Sequence, residues 1–480
     1  LASPEPSNLR RRYARGAVWL GAGEWLASAV NFPLQIAIAR LIGPGALGLY
    51  AYIAAINEFL GIIAAFSLNI ALIQSQDESQ ELYDTAFVIS GLIGLFGLLA
   101  AVLCTPFLSA EGGAQAGWLL IVLAVGRLLV LLAQVPRGRL EREIRYARLS
   151  TASALTKVVP NLGALALASV GIGAWCLALR DLGAGILTLA LASLWSTYRF
   201  RGRISRQAAR RLFDYSWPMF AARSTSILAD RIDRVAAGSL LGETVTGLYH
   251  QARYLAETAT TLTRSVTQVS LNVYSRLQSD ATRLRESFEL MNYFLVRLVM
   301  LITTILVAFP VETIQTLLGS EWIAAAAILP WLAIHGALIP LEENLTSLFY
   351  ASNNVRWALR IRVVQFLYFA PTVVLACWYG RIDLAAMSLA TSTALGFGLS
   401  LALGYRLLPG VSLEFVGPLA AGVATIGASL VLVRSGAMEA VPFLLRPPLA
   451  SLGYLGFLYA IEGRKLVPAV RSLYRDLKPR

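Results

Sequence analysis

The 480-residue chain is 57% hydrophobic and only 14% charged, against about 25% charged in soluble domains, which excludes a soluble globular protein. Its formal charge of +13 would suit a nucleic-acid partner, but the positive residues gather on alternate connections between apolar stretches, the asymmetry of a membrane protein with basic inner loops. The charge is therefore assigned to topology and to anionic lipid headgroups, with no nucleic-acid partner.

Residues 1–15, "LASPEPSNLRRRYAR", place polar and basic residues ahead of the first apolar stretch and read as a cytoplasmic tail, not a signal peptide. Stretches long enough to cross a hydrocarbon core of about 30 Å follow. About fourteen are expected, near 16–41, 47–72, 84–108, 116–136, 149–170, 172–198, 214–241, 245–275, 288–309, 322–350, 357–379, 382–407, 412–433 and 441–461. They group into an N-lobe (16–200), a basic linker (201–212), a C-lobe (213–410), two additional spans (411–462) and a basic tail (463–480). The fold class is all-α integral membrane, with two pseudo-symmetric six-helix lobes and two further helices. Arginines crowd the inner segments, five between Arg137 and Arg148 and six between Arg199 and Arg211. The outer connections hold Arg40, Arg381 and Arg434, so both termini read as cytoplasmic. Cys104, Cys176 and Cys377 are scattered through apolar sequence, without metal or disulfide spacing.

The connection after the first span reads "LIGPGALGLY" (41–50), and 199 positions later the chain reads "LLGETVTGLY" (240–249). The same offset pairs Glu58 with Glu257, and a weaker echo sets "CTPFLSAEGGAQAGW" (104–118) beside "AFPVETIQTLLGSEW" (308–322). Six spans separate the two turns, so both face outward in two similarly oriented halves. Parallel repeats of this kind recur in transporters that rock one half against the other, with the substrate site between them. The glycines permit a tight turn, and Tyr50 and Tyr249 suit the lipid–water interface.

Ten cations fall within the spans: Arg127, Lys157, Arg180, Arg223, Arg231, Arg234, Arg253, Arg264, Arg297 and Arg446. Each costs about 2.5–3.5 kcal/mol at a lipid-facing helix centre, so most must face water or a carboxylate. Arg253, Glu257, Thr260, Arg264 and Thr267 share one helix face, a stripe expected to line something aqueous. Arg223, Asp230 and Arg234 share a face of the preceding span, flanked by Arg231 and Asp233, and Asp230 and Arg234 have the spacing of a helical ion pair. Two readings stand: ion pairs locking helix to helix, or a cationic cavity for an anionic substrate. On the second, Arg127, Lys157, Arg223, Arg234, Arg253 and Arg264 are substrate-binding candidates, and Asp230, Asp233 and Glu257 are candidates for coupling transport to an ion. His335 could act as a proton switch or be structural. Prolines at 33, 160, 218, 330, 340 and 371 mark hinges or packed kinks. No GxxxxGK[ST] loop occurs, so energy is expected from an ion gradient (H+ or Na+), the membrane potential or product removal. No cofactor, catalytic residue or metal ligand is assigned, and the chain reads as a transporter, not an enzyme.

The stretches "IARLIGPGALGLYA", "ALIQSQDESQELYDTAF", "VPRGRLEREIRYARLS", "DRIDRVAAGSLLGETVTGLYHQARYL" and "NVYSRLQSDATRLRESF" resemble the polysaccharide transporter family of oligosaccharide flippases, within the multidrug/oligosaccharidyl-lipid/polysaccharide exporter (MOP) superfamily. Asp233, Gly238, Gly242, Gly247 and Tyr249 match the family's usual positions; Asn69 replaces a usual glycine, and "DRIDR" is more charged than in most relatives. The resemblance implies a V-shaped transporter in a bacterial inner membrane that moves an undecaprenyl-diphosphate-linked oligosaccharide between leaflets. It also implies a polymerase and a chain-length regulator as pathway partners. A diphosphate wants arginine forks, in keeping with the cations above. Alternatives are a lipid II flippase or a drug/cation antiporter of the same superfamily, or a polytopic polymerase or ligase; short outer loops and the surplus of arginine weigh against the last three.

Overall fold

Four glycines decide where the long helices turn. The computed structural model describes residues 6–62, 68, 72, 75, 77, 79–143, 146–411, 416–435 and 441–477, which leaves Asn69, Arg145, Lys478 and Arg480 outside. Among them every regular element is helical. Helix α1 (Pro6–Leu60) turns at Gly43 (φ 75°, ψ 170°) and α2 (Gln80–Arg142) at Gly113 (φ 77°, ψ 170°). Gly242 (φ 86°, ψ 174°) ends α5 (Arg206–Leu241), and Gly319 (φ 101°, ψ −179°) precedes a 3-10 turn, Ser320–Ala327. Only glycine occupies this backbone region readily. Gly43 and Gly242 are the paired glycines of the 199-residue repeat, so the repeated letters encode the same bend. Gly113 and Gly319 repeat it in the weaker echo, two residues out of step.

The chain forms two compact units, Leu1–Gly247 and Leu248–Arg480. In the first, α1 packs on α2, α3 (Tyr146–Ser169) and α5, and α2 packs on α4 (Trp175–Trp195). Helix α5 joins this unit. A side chain on Gly48 would strike the Glu243 carbonyl, and one on Gly247 would strike the Pro44 carbonyl. Pro44 and Glu243, like Gly48 and Gly247, stand 199 positions apart, so the two turns touch reciprocally, as in a two-fold contact.

The second unit begins within α6 (Glu243–Ala256) and continues with α7 (Thr258–Leu277), α8 (Ala281–Ala308), α9 (Pro310–Leu317) and α10 (Leu329–Ala351). It ends with α11 (Val355–Trp378), α12 (Ile382–Leu407), α13 (Val416–Arg434) and α14 (Arg446–Leu477). Helix α10 is its hub, packed on α7, α8 and α12, while α13 and α14 pack on α8.

Among the described residues eight helices are long and apolar enough to cross a membrane, or nine when the 3-10 turn and α10, bent by 66°, count as one span. Lipid contact is legible on α2, where Leu92, Leu95, Phe96, Leu99, Leu103 and Phe107 are exposed along one face. Water would make such a stripe a liability, and a bilayer solvates it. The chain is a multi-pass, all-α membrane protein.

Tyr50 and Tyr249 depart from the interfacial placement expected of them. Both are buried. The Tyr50 hydroxyl donates to Asp181 (2.7 Å) and accepts from Arg180 Nη2 (2.7 Å), so side chains do for it what interfacial water would otherwise do.

At the end of the first unit that carries the basic connection, fully buried Asp84 accepts from Gln80 Nε2 (2.7 Å), the Tyr198 hydroxyl (3.0 Å) and the N–H groups of Arg201 (3.1 Å) and Arg203 (2.9 Å). Burial and the Asp84 bond push the Tyr198 hydroxyl well above its ordinary range. One aspartate thus straps residues 198–203 to the start of α2 by backbone bonds, and the side chains of Arg201, Arg203, Arg206 and Arg210 remain exposed.

Candidate functional site

The first cluster forms where α1 gives out. A helix end releases carbonyls that need donors. Arg127 of α2 donates through Nη1 to the carbonyls of Asn57 (3.0 Å) and Glu58 (3.4 Å), and its guanidinium fills the space that a side chain at Gly61 would need. Arg231 of α5 binds the Glu58 carboxylate through Nε. Both partners keep access to solvent, 27% and 31%. Two guanidiniums therefore converge on one acidic residue, one through its backbone and one through its side chain.

The other candidates in this unit scatter around that node. Asp230 is exposed, and Asp233 is buried and accepts from the Arg234 N–H (2.8 Å). Arg234 is half-buried on the same turn of α5. Lys157 is half-buried on α3, and its carbonyl accepts from Asn161 Nδ2 (2.7 Å); that amide also donates to Asn31 (2.6 Å), while Asn161 Oδ1 accepts from Gln35 (3.1 Å). An amide ladder thus fixes the Lys157 turn against α1. The side chains of Arg223 and Arg264 lie outside the described residues.

The second cluster also sits at a helix break. Helix α6 ends at Ala256 and α7 begins at Thr258, with Glu257 (φ −75°, ψ 0°) between them. Gly336 of α10 makes the break possible to pack, because a side chain there would strike the Ala256 carbonyl. Arg253 donates through Nε to Glu257 Oε1 (2.6 Å). Arg253 is 7% exposed and Glu257 34%, so the acid stands at the mouth of the pair and the base behind it. His335 Nε2 lies 3.8 Å from the same carboxylate oxygen, and its Nδ1 meets Thr393 Oγ1 at 2.7 Å. One carboxylate thus lies within reach of both a guanidinium and an imidazole.

The stripe expected to face water departs from that expectation. Arg253, Thr260 and Thr267 are buried, and Glu257 is partly open. The close approach at Gly336 accounts for this, since Thr260 reaches the Gly336 carbonyl (3.4 Å) and α10 covers the face.

Carboxylates meet several other intramembrane cations. Arg180 pairs with Asp181 (2.8 Å), Arg446 with Glu312 (3.3 Å), and Arg297 binds Glu462 through Nε at 3.0 Å. For these the ion-pair reading holds. Sequence reasoning missed Glu312, which it placed in a connection, and Glu462, which it placed at the very end of the last span, yet each falls on a helix. It also missed Tyr50 as a partner of Arg180. Buried Glu342, which accepts from Gln365 (3.0 Å), sits beyond His335 on α10.

Helix breaks at paired acids, a repeated bend and guanidiniums inside apolar spans set the architecture of this membrane protein, and solved structures share its fold. The chain is similar to the lipid II flippase MurJ in its inward closed conformation, with TM-score 0.67 and 14% identity over 92% of this chain and 99% of that one. It is also similar to an inward-facing multidrug resistance MATE family transporter of the MOP superfamily (TM-score 0.53, 14% identity, 83% and 96% covered). A MOP superfamily transporter from Pyrococcus furiosus, described as having a binding pocket of reversed polarity, gives 0.54 at 15% identity over 86% and 96%. The chain shares the fold of these three proteins. A family profile described as "Polysaccharide biosynthesis protein" matches residues 37–327, and the chain belongs to that family. No curated protein matches it.

Proposed function

We propose that the chain is a flippase that carries undecaprenyl-diphosphate-linked oligosaccharide repeat units across a bacterial inner membrane by alternating access, for assembly of surface polysaccharide. Membership in a polysaccharide biosynthesis family with a MOP transporter fold carries this reading. The chemistry agrees with it: a diphosphate is best held by guanidinium forks, and this chain keeps arginines inside its spans. Arg127, Lys157, Arg223, Arg234, Arg253 and Arg264 are the substrate-binding set in this reading. Asp230, Asp233 and Glu257 are the coupling acids, with Glu257 foremost because its salt bridge is half open and has a histidine beside it.

A proton arriving on Glu257 neutralises the carboxylate and removes the charge that holds Arg253. The freed guanidinium can then bind a phosphate oxygen. When the diphosphate leaves, Arg253 pairs again and Glu257 gives up its proton. A sodium ion on Glu257 would serve the same exchange. Reconstituted vesicles test the substrate class: the lipid-linked oligosaccharide should change leaflets, while lipid II and a cationic drug should not. Drug efflux without lipid movement would overturn the reading.

A further inference from the structure

We propose that the first unit holds a separate binding site for an anionic phospholipid of the bilayer, in a cavity between the start of α5 and the middle of the first half of α2. The cavity measures about 930 Å³, and its walls include Leu68, Ile89, Ile93 and Phe213, with Arg206 and Arg210 at its polar side. It is large enough for part of an acyl chain and a headgroup, near the upper end of ordinary ligand pockets at about 300–1,000 Å³. The inference does not depend on what the protein transports.

The order of side chains along α5 is that of an amphiphile. Positions 206, 210, 213 and 217 share one helix face. They run from Arg206 and Arg210 through Phe213 to Trp217, which stacks on Phe213 with ring centroids 5.6 Å apart and on Phe220 at 5.4 Å. At 1.5 Å per residue the stripe covers about 16 Å, so charge sits at one end and aromatic surface continues inward. The opposite face, Ala208 and Leu212, belongs to the core with Leu68, Leu72 and Tyr83. Helix α5 is therefore anchored on one side and presents a graded surface on the other.

Neither Arg206 nor Arg210 makes an ion pair or a hydrogen bond among the described residues, whereas nearby Arg199, Arg211 and Arg142 are engaged by carbonyls or Asp77. Two exposed guanidiniums one helical turn apart over apolar walls complement a lipid phosphate, and basic pockets beside membrane helices bind such headgroups. A sugar-bearing ligand would need neutral donors and acceptors as well, and Gln207 is the one such side chain among the described lining residues. That favours a plain anionic phospholipid over a glycosylated one.

Native mass spectrometry of the full chain in detergent tests this, with phosphatidylglycerol, phosphatidylcholine and undecaprenyl diphosphate as probes. The wild type should bind phosphatidylglycerol at least about tenfold more tightly than phosphatidylcholine. The Arg206→Ala/Arg210→Ala variant should lose about that factor, and Arg201→Ala/Arg203→Ala, which removes the same charge from the strapped loop, should not. Ala209→Trp, which fills the cavity and keeps both arginines, should weaken binding too. Equal losses in the two double variants would reduce the effect to general charge, and undiminished binding in both the Arg206/Arg210 and Ala209 variants would place the lipid elsewhere. Either result overturns the proposal. So does binding of undecaprenyl diphosphate alone, which would assign the cavity to the transported lipid.

Discussion

Glu58 and Glu257 stand 199 positions apart, each at a helix break, yet each has taken its arginine from a different place. Glu58 binds Arg231, 173 residues along the chain and on another helix. Glu257 binds Arg253, four residues back on the preceding helix, with His335 of α10 beside it. The first pair exists only when α1 and α5 are packed, so it is a tertiary tie. The second joins residues four apart in the chain and has the His335 imidazole 3.8 Å from its carboxylate. In the proposed function the first acid is a fastener and the second a switch, and what separates them is the neighbours each has.

The largest expected effect comes from disturbing what the halves share. Gly247→Leu, or Gly48→Leu, would drive a side chain into a backbone carbonyl that cannot move aside. The loss should be about 3 kcal/mol or more, out of a typical stability of about 5–15 kcal/mol, and should show as little folded protein after detergent extraction. Gly43→Ala leaves the contact intact but strains a backbone region reserved for glycine, at about 1–3 kcal/mol, and should yield protein with a lowered Tm.

The acids come next. Glu58→Gln should destabilise the protein by about 1.5–3 kcal/mol, the range of a hydrogen bond to a charged group. Glu257→Gln keeps an acceptor beside Arg253 but strips the counter-charge from a guanidinium that is only 7% exposed, so its loss should be no smaller. A loss near zero in thermal unfolding would show that the Arg253–Glu257 pair carries no stability.

The smallest effect lies outside the spans. Asp77 is held below the usual carboxylate range by the Ser79 N–H (2.8 Å) and then the Ser79 hydroxyl, with Arg211 nearby at 3.4 Å. A depressed pKa gives stability that is present above the ordinary value of about 3.9 and is lost as pH falls through the folded value. Asp77→Asn should therefore lower stability slightly at pH 7 and converge on the wild type in the most acid part of an unfolding profile. A constant gap across that range would show that the asparagine disturbs the turn itself.

The sequence made some of this legible, and the reasons are local. Gly43 and Gly242 adopt one backbone conformation because it is written in one residue type, and the Arg253–Glu257 pair follows from helical spacing. The same spacing also offered Asp230 and Arg234, but Asp230 is exposed while Asp233 is buried, a matter of how α5 is turned against its neighbours. Glu58–Arg231, the carbonyl acceptors of Arg127 and the meeting of His335 with Glu257 and Thr393 join segments dozens to more than a hundred residues apart, and only packing brings them together. Tyr50 looked interfacial for want of Asp181, which the sequence could not place beside it.

Flipping driven by a pH gradient, compared in matched vesicles of wild type, Glu58→Gln and Glu257→Gln, asks directly whether one acid fastens and the other couples. Glu257→Gln should lose the acceleration that the gradient gives the wild type, and Glu58→Gln, assayed well below its lowered Tm, should keep it. A Glu257→Gln protein that still responds fully to the gradient, or a Glu58→Gln protein that fails in the same way, would contradict that division.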